Sequence, residues 1–362
     1  MGAALTPTFG STTPTATGFT VQITNYSSAY TWAGSATASG TVAINSTTGV
    51  ITVTRVAGNT SSTATITTAR TGYTGGTAAV TATSLVVMSM VSVYGSTLAT
   101  ADSNGYGAVS YSYKIGKYDV TGSQYTAFLN AVAQTDTYGL YNAGMSTNAD
   151  VAQISRFGTA GTYTYVVKNN TGNRPITYVS WFDCARFTNW MSNGQGSGST
   201  ESGAYTLLSG QISGSAPAAN PGESFRIPTE NEWYKAAYHN GRVDSSSSYY
   251  TYATKSNVAP TFSSNVTSTV ANVANYNNAI GHATDVGSFS GSGSSYGTFD
   301  QSGNVDQWND LSGTAGANRG SRGGNWGSST TGNSSALSSS NRSTKIATTE
   351  NSSTGFRLAS PY

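Results

Sequence analysis

Charge is the scarcest property of this chain. Of its 362 residues, 9% are Asp, Glu, Lys or Arg, against about a quarter in ordinary domains. The formal net charge is +2 and no basic run occurs. Neutralisation of a nucleic-acid backbone is thereby excluded, and no nucleic-acid partner is expected. Cysteine is nearly absent. Cys184 stands alone, so neither an internal disulfide nor a cysteine zinc cluster can form. Histidine is limited to His239 and His282, too few for a three-histidine iron site. The most apolar stretch, Leu85 to Tyr94, is too short and too polar to cross a bilayer. Met1-Gly-Ala-Ala-Leu5 shows no charged region ahead of an apolar one, so no export signal is legible. The expectation is a sequence from which an export signal has been trimmed, or a protein assembled inside a cell and released, as virion parts are.

Gly, Ser, Thr, Asn and Tyr stand where charge is missing, the vocabulary of adaptable binding loops. Residues 1–86 alternate apolar and polar positions in Phe19–Ile23, Val42–Ile44, Val50–Val53, Ala64–Ile66 and Val80–Ala82. Turn clusters such as Asn45–Gly49 and Thr71–Gly76 separate them. Short strands at this spacing predict an all-β sandwich, and the segment resembles bacterial immunoglobulin-like modules. A spacer or attachment role is expected of it.

Residues 87–362 read differently. Tyr113 to Val120 predicts a strand. Thr121 and Gln124 have capping-box spacing ahead of Tyr125, Phe128, Leu129 and Val132. A second helix is signalled at Ser180–Asp183, with Phe187, Trp190 and Met191 behind it. A third starts at the capping box Thr229–Glu232, with Trp233, Ala236 and Ala237 facing inward. Short helices among long Gly/Ser/Asn loops predict an irregular α+β domain, and loops of this length are usually functional.

Six motifs occur in order: Ile115–Tyr125, Pro175–Ala185, Arg226-Ile-Pro-Thr-Glu-Asn-Glu-Trp233, Gly303-Asn-Val-Asp-Gln-Trp308, Arg322-Gly-Gly-Asn-Trp326 and Gly355-Phe-Arg-Leu358. Together they make the second segment resemble the formylglycine-generating enzyme, or sulfatase-modifying factor, family. The resemblance implies a C-type-lectin-type fold, one that hosts both enzymes and binders. Within it, Glu230 and Glu232 read as helix-start residues, Trp233 and Trp326 as core plugs, and Arg357 as the partner of a carboxylate.

The family enzyme uses two cysteines just beyond the Gly-Gly-x-Trp/Tyr segment to bind copper and attack substrate. Ser328 and Asn333 fall near the matching positions. A hydroxyl and an amide cannot supply thiolates, so no copper is expected and catalytic residues are assigned to none. Cys184 lies on the second helix and is expected to be buried and inert. Both histidines fall in polar loops with no nucleophile-elbow pattern. Paired carboxylates drawn from Glu230, Glu232, Asp300 and Asp306 make a weak case for glycosidase chemistry. The resemblance also implies one structural calcium, held by Asp300, by the carbonyls of Gly303 and Val305, and by Gln307 in place of the usual Glu.

Residues 327–354 are rich in Ser, Thr and Asn and lie between two motifs, and the expected display segment is 325–354. Changes at the adenines of an Asn codon give Ser, Thr or Ile, and double changes give Gly or Ala, which is much of this vocabulary. The segment thereby resembles the randomised repeat of diversity-generating retroelement variable proteins. Lys345 and Glu350 fall outside that vocabulary. The expected ligand-binding residues are Asn325, Ser328, Ser329, Thr330, Asn333, Ser334, Ser338, Ser340, Asn341, Ser343, Lys345, Thr348 and Asn351, rimmed by Trp326 and Arg342. The expected function is non-catalytic recognition of a host-cell surface protein or glycan, from a virion surface or a cell surface. Other virion or surface subunits would be held through the first segment, in a homo-oligomer or multicopy display. Two alternatives are an enzyme of this family with altered chemistry and a purely structural virion or surface-layer subunit.

Overall fold

Among the described residues of the first unit of the chain, Met1–Val87, seven strands form. They are β1 (Thr13–Thr15), β2 (Gly18–Gln22), β3 (Thr31–Ala36), β4 (Thr41–Ile44), β5 (Val50–Thr54), β6 (Ser61–Ala69) and β7 (Gly76–Thr83). The computed structural model describes residues 2–37, 40–55, 61–96, 100–208, 210–244, 248–328 and 334–362. The strands make two antiparallel sheets, ordered β1-β2-β5-β4 and β3-β6-β7. Phe19, Val21, Ile51 and Val53 from one sheet meet Ala64 and Ile66 from the other, and all are buried. This is the sandwich that period-two alternation predicts. β1 and β3 were not legible as strands. β3 reads Thr-Trp-Ala-Gly-Ser-Ala and is held by close approach, because a Cβ on Gly34 would sit 2.6 Å from Val42 Cγ1 and 2.8 Å from Ile66 Cδ1.

The second unit, Met88–Tyr362, begins with β8 (Met90–Val93) and β9 (Tyr113–Gly116). The sequence predicted β9 to run on to Val120. It stops at Gly116, where a Cβ would lie 2.8 Å from the carbonyl of Tyr118, so the backbone folds over itself there. Next come α1 (Gly122–Val132), α2 (Gly144–Thr147), the hairpin of β10 (Ile154–Phe157) and β11 (Thr164–Val167), α3 (Trp181–Ser192) and α4 (Glu230–Tyr238). A parallel pair, β12 (Thr261–Phe262) and β13 (Val273–Ala274), precedes β14 (Asp306–Asn309), β15 (Asn318–Arg322), β16 (Ser343–Ile346), β17 (Thr354–Gly355) and β18 (Ala359–Pro361). Two sheets organise the unit, ordered β18-β9-β8 and β16-β15-β14-β17.

The three expected helices start where their caps predict. Thr121, Ser180 and Thr229 each accept the N3 backbone N–H, and the N3 side chain returns a bond to the cap backbone. Tyr125, Phe128, Phe187, Trp190 and Phe356 interlock edge to face or tilted between α1, α3 and the C-terminal segment. The buried indoles are satisfied: Trp181 donates to Asp310 at 2.9 Å, Trp233 to Gln307 at 2.7 Å and Trp308 to the Val179 carbonyl at 3.0 Å.

Candidate ligand-binding surface

The surface is mounted on the turn after β15. Gly323 and Gly324 both hold positive φ, 101° and 66°, which glycine adopts without penalty. A Cβ on Gly324 would also lie 3.0 Å from Leu337 Cδ1. The chain is then gripped from both sides. Trp326 N–H donates to the Asn304 carbonyl at 2.8 Å, while Asn278 N–H and Asn277 N–H donate to the carbonyls of Trp326 and Ser328 at 2.7 and 3.0 Å. Asn277 and Asn278 are themselves left-handed, at φ 63° and 54°. Asn tolerates that conformation better than most residues. Trp326 is half-buried and packs with Tyr178 against Val151, Ala283 and Val305, so it is a partial plug rather than the full core residue expected.

Further on, Leu337 is fully buried against Tyr252, Ala274 and Tyr276. Ser339 N–H donates to the Thr251 carbonyl at 2.8 Å. β16 pairs with β15, setting Lys345 opposite Arg319 and Ser343 opposite Ser321.

All three charged residues of the segment 325–354 point into the framework. Arg342 grips the buried Glu230 with its Nε at 2.8 Å and its Nη2 at 2.9 Å. Arg322 reaches the same carboxylate at 2.7 Å and donates to the carbonyls of Ser339 and Asn341 at 3.0 and 2.7 Å. The guanidinium groups of Arg322 and Arg342 lie over Tyr106, at 4.5 and 5.6 Å from its centroid. Lys345 Nζ bonds Asp306 at 3.2 Å and the Thr354 hydroxyl at 2.7 Å, and Asn325 Nδ2 donates to the same Asp306 oxygen at 3.1 Å. Glu350 accepts from Asn142. Burial raises the Glu350 carboxyl. Beside it, burial and then Glu350 push Asp183 up to about 7.

The expected contact residues therefore separate. Ser340, Asn341 and Thr348 are exposed. Asn325, Ser328, Ser343, Lys345 and Asn351 are half-buried; Asn325 and Lys345 turn to Asp306, and the Asn351 side chain accepts from Ser353 N–H at 3.0 Å. Ser338 is buried, bonded to the Ser335 carbonyl at 2.8 Å and bridged to Tyr252, which corrects its assignment to the contact surface. Ser334 lies on a short 3-10 turn ending at Leu337. Ser329, Thr330 and Asn333 lie outside the described residues. Sequence reasoning missed Thr344 and Ile346, which occupy the outward face of β16, Ile346 at 61% exposure. With β16 recognised as a strand, period-two alternation separates them from Ser343 and Lys345.

The groups considered for chemistry are engaged. Cys184 is fully buried, and burial pushes its thiol well above the usual range. Ser328 Oγ accepts from Asn325 N–H at 2.9 Å. His239 is not in an open polar loop as expected. It ends α4, buried, with Nδ1 2.9 Å from the Tyr296 hydroxyl, and burial lowers it to about 4. His282 Nδ1 lies 2.9 Å from the Ala283 carbonyl. Glu232 closes the α4 capping box and pairs with Arg226. No cluster of three His, Cys, Asp or Glu able to hold a metal occurs among the described residues.

The calcium donor set of Asp300, Gly303, Val305 and Gln307 does not fit a cation. The Gln307 oxygen accepts from Trp233 Nε1 at 2.7 Å and from Arg357 Nε at 2.6 Å, and its Nε2 donates to the Asp300 carbonyl at 2.7 Å. Its one ligating oxygen thus faces two N–H donors, one of them on a guanidinium. Asp300 uses its carboxylate to accept from Gly287 N–H at 2.7 Å. Arg357 pairs with Asp119 at 3.2 Å, both fully buried, as its motif led one to expect.

A family model, the sulfatase-modifying factor enzyme 1-like domain, matches residues 78–361, more than three quarters of the chain. The chain belongs to this family. Among solved structures of this C-type-lectin-type fold, it is similar to the Treponema denticola variable protein 1 at 20% identity and TM-score 0.46, over 76% of this chain and 96% of that one. It is also similar to CarF, at 19% identity and TM-score 0.45, over 77% and 100%. PvdO from Pseudomonas aeruginosa follows at 17% and 0.38, over 76% and 93%. No curated protein matches the chain. Against the family pattern, the positions that carry the enzyme's cysteines by resemblance are Ser328 and Asn333 here.

Proposed function

We propose that this chain is a non-catalytic ligand-binding protein that recognises a host-cell surface protein or glycan through an exposed row formed by Ser340, Asn341, Thr344, Ile346 and Thr348. One observation carries the reading. Within residues 325–354, Arg342, Lys345 and Glu350 are tied to Glu230, Asp306 and Asn142, while those five exposed positions hold Ser, Asn, Thr or Ile. Ser, Thr and Ile are single-base changes from Asn codons. Lys345 and Glu350, which changes at the two adenines of an Asn codon cannot produce, both hold the framework. A diversified display surface has this division of labour. Small polar contacts bind weakly one at a time, so many copies on a virion or cell surface would supply avidity. The first unit would attach the protein to its particle or to other surface subunits.

Sequencing the gene from several isolates tests this. Variation concentrated at codons 340, 341, 344, 346 and 348, with Arg342, Lys345 and Glu350 constant, supports it. Variation spread evenly over the chain removes it. The non-catalytic part has its own test. Tight stoichiometric copper binding by the purified protein, with oxidation of a cysteine-containing peptide, would show an enzyme with altered chemistry.

A further inference from the structure

β7 gives the first unit a long free edge. β7 is an edge strand, paired on one side with β6 from Gly76 to Thr83. Among the described residues, no other backbone group bonds to Thr77–Thr83. An antiparallel strand paired on one side sends half of its N–H and C=O groups outward, a ready template for another strand. Edges are usually protected by brevity, proline or charge. β1 has three residues and contains Pro14, β4 has four, and β3, the other edge of the β7 sheet, has six. β7 has eight, Gly-Thr-Ala-Ala-Val-Thr-Ala-Thr. No charged residue occurs anywhere between Arg70 and Asp102, and no proline between Pro14 and Pro175.

β7 is also complementary to itself. Its even positions, Ala78, Val80 and Ala82, are half-buried on the core side, and its odd positions, Thr77, Ala79, Thr81 and Thr83, are exposed. A two-fold axis through Val80 sets Ala78 against Ala82, Val80 against Val80, Ala79 against Thr81 and Thr77 against Thr83. Every core-side residue then meets a small apolar partner, every outer one a Thr or Ala, and the two residues of each pair share one face. We propose that two copies of this chain pair β7 to β7 in this antiparallel register, joining two three-stranded sheets into one of six. An isologous contact of this kind closes at two copies. It is independent of the ligand-binding reading, which stands or falls on the second unit.

Sedimentation of the full chain over a concentration series tests it, with circular dichroism confirming the fold of each variant. The wild type is expected to form a dimer. Ala79→Lys/Thr81→Lys places ammonium groups opposite one another across the axis at two exposed positions, and is expected to weaken the dimer by about tenfold or more. Ala79→Lys/Thr81→Glu sets opposite charges face to face in this register alone, and is expected to restore it. A wild type monomeric at every concentration overturns the proposal. So does a dimer indifferent to the double-lysine variant, or a Lys/Glu variant no tighter than the Lys/Lys one.

Discussion

Arg322→Met separates framework from display most sharply. The Arg322 side chain is fully buried and makes three charge-assisted contacts, to Glu230 at 2.7 Å and to the carbonyls of Ser339 and Asn341 at 3.0 and 2.7 Å. Its Nη2 has no hydrogen-bond partner among the described residues, but the guanidinium lies 4.5 and 4.9 Å from the centroids of Tyr106 and Tyr234, whose π faces attract cations. Methionine approximates the volume and removes the charge. Glu230 keeps Arg342, whose side chain is partly exposed, while the carbonyls of Ser339 and Asn341 lose their donor. Breaking one side of a buried ionic network costs about 3–5 kcal/mol. For a unit of this size that corresponds to a melting-temperature drop on the order of 10 °C. Ile346→Thr is the control. It keeps a β-branched side chain at an exposed strand position, and surface changes of this kind stay within about 0.5 kcal/mol, or roughly 2 °C. Differential scanning calorimetry reads both, with the transition of each unit followed separately. A shift for Arg322→Met no larger than that for Ile346→Thr would refute the assignment of Arg322 to the framework.

Three further outcomes follow from the geometry. Burial, and then Lys235, hold His239 near 4, below the 6.5 of the unfolded chain. The unfolded state therefore binds the extra proton first, and wild type should lose stability relative to His239→Phe as pH falls from about 6.5 to about 4. Parallel denaturation profiles of the two proteins would contradict this; Asp183 titrates with the opposite sign but is common to both. Cys184, fully buried and with its thiol raised, should react with a thiol reagent only at the rate of unfolding, so stoichiometric labelling of the native protein within minutes would place it elsewhere. Because Gln307 serves Trp233 and Arg357, calcium and chelator should leave the melting temperature unchanged. A calcium-dependent rise of several degrees would show that Gln307 can turn from those donors to a cation.

The helix starts were readable because a capping box is a local device: Thr121, Ser180 and Thr229 each find their partner three residues on, whatever the rest of the chain does. The sandwich strands were readable where alternation was strong, as in β2 and β6. β16 was not. Ser-Thr-Lys-Ile carries little pattern, and it is a strand because β15 lies beside it in register. That pairing decides which side chains face outward. It turns Lys345 down to Asp306 and leaves Thr344 and Ile346 exposed, so composition alone could mark the segment but not its outward face.

The same pairing bears on what variation the surface can tolerate. Exchanging Thr344 or Ile346 among Asn, Ser, Thr and Ile alters an outward side chain and leaves the ladder with β15 intact. Exchange at Lys345 would strand the Asp306 carboxylate, leaving it only the Asn325 amide. A repeat able to diversify freely therefore has to alternate tolerant and fixed codons along β16, with period two. Libraries randomised at 344 and 346 should fold as well as wild type, whereas libraries randomised at 343 and 345 should lose folded members, counted by protease resistance on a display platform. Equal survival of the two libraries would mean that the Lys345–Asp306 pair does not hold the strand's register.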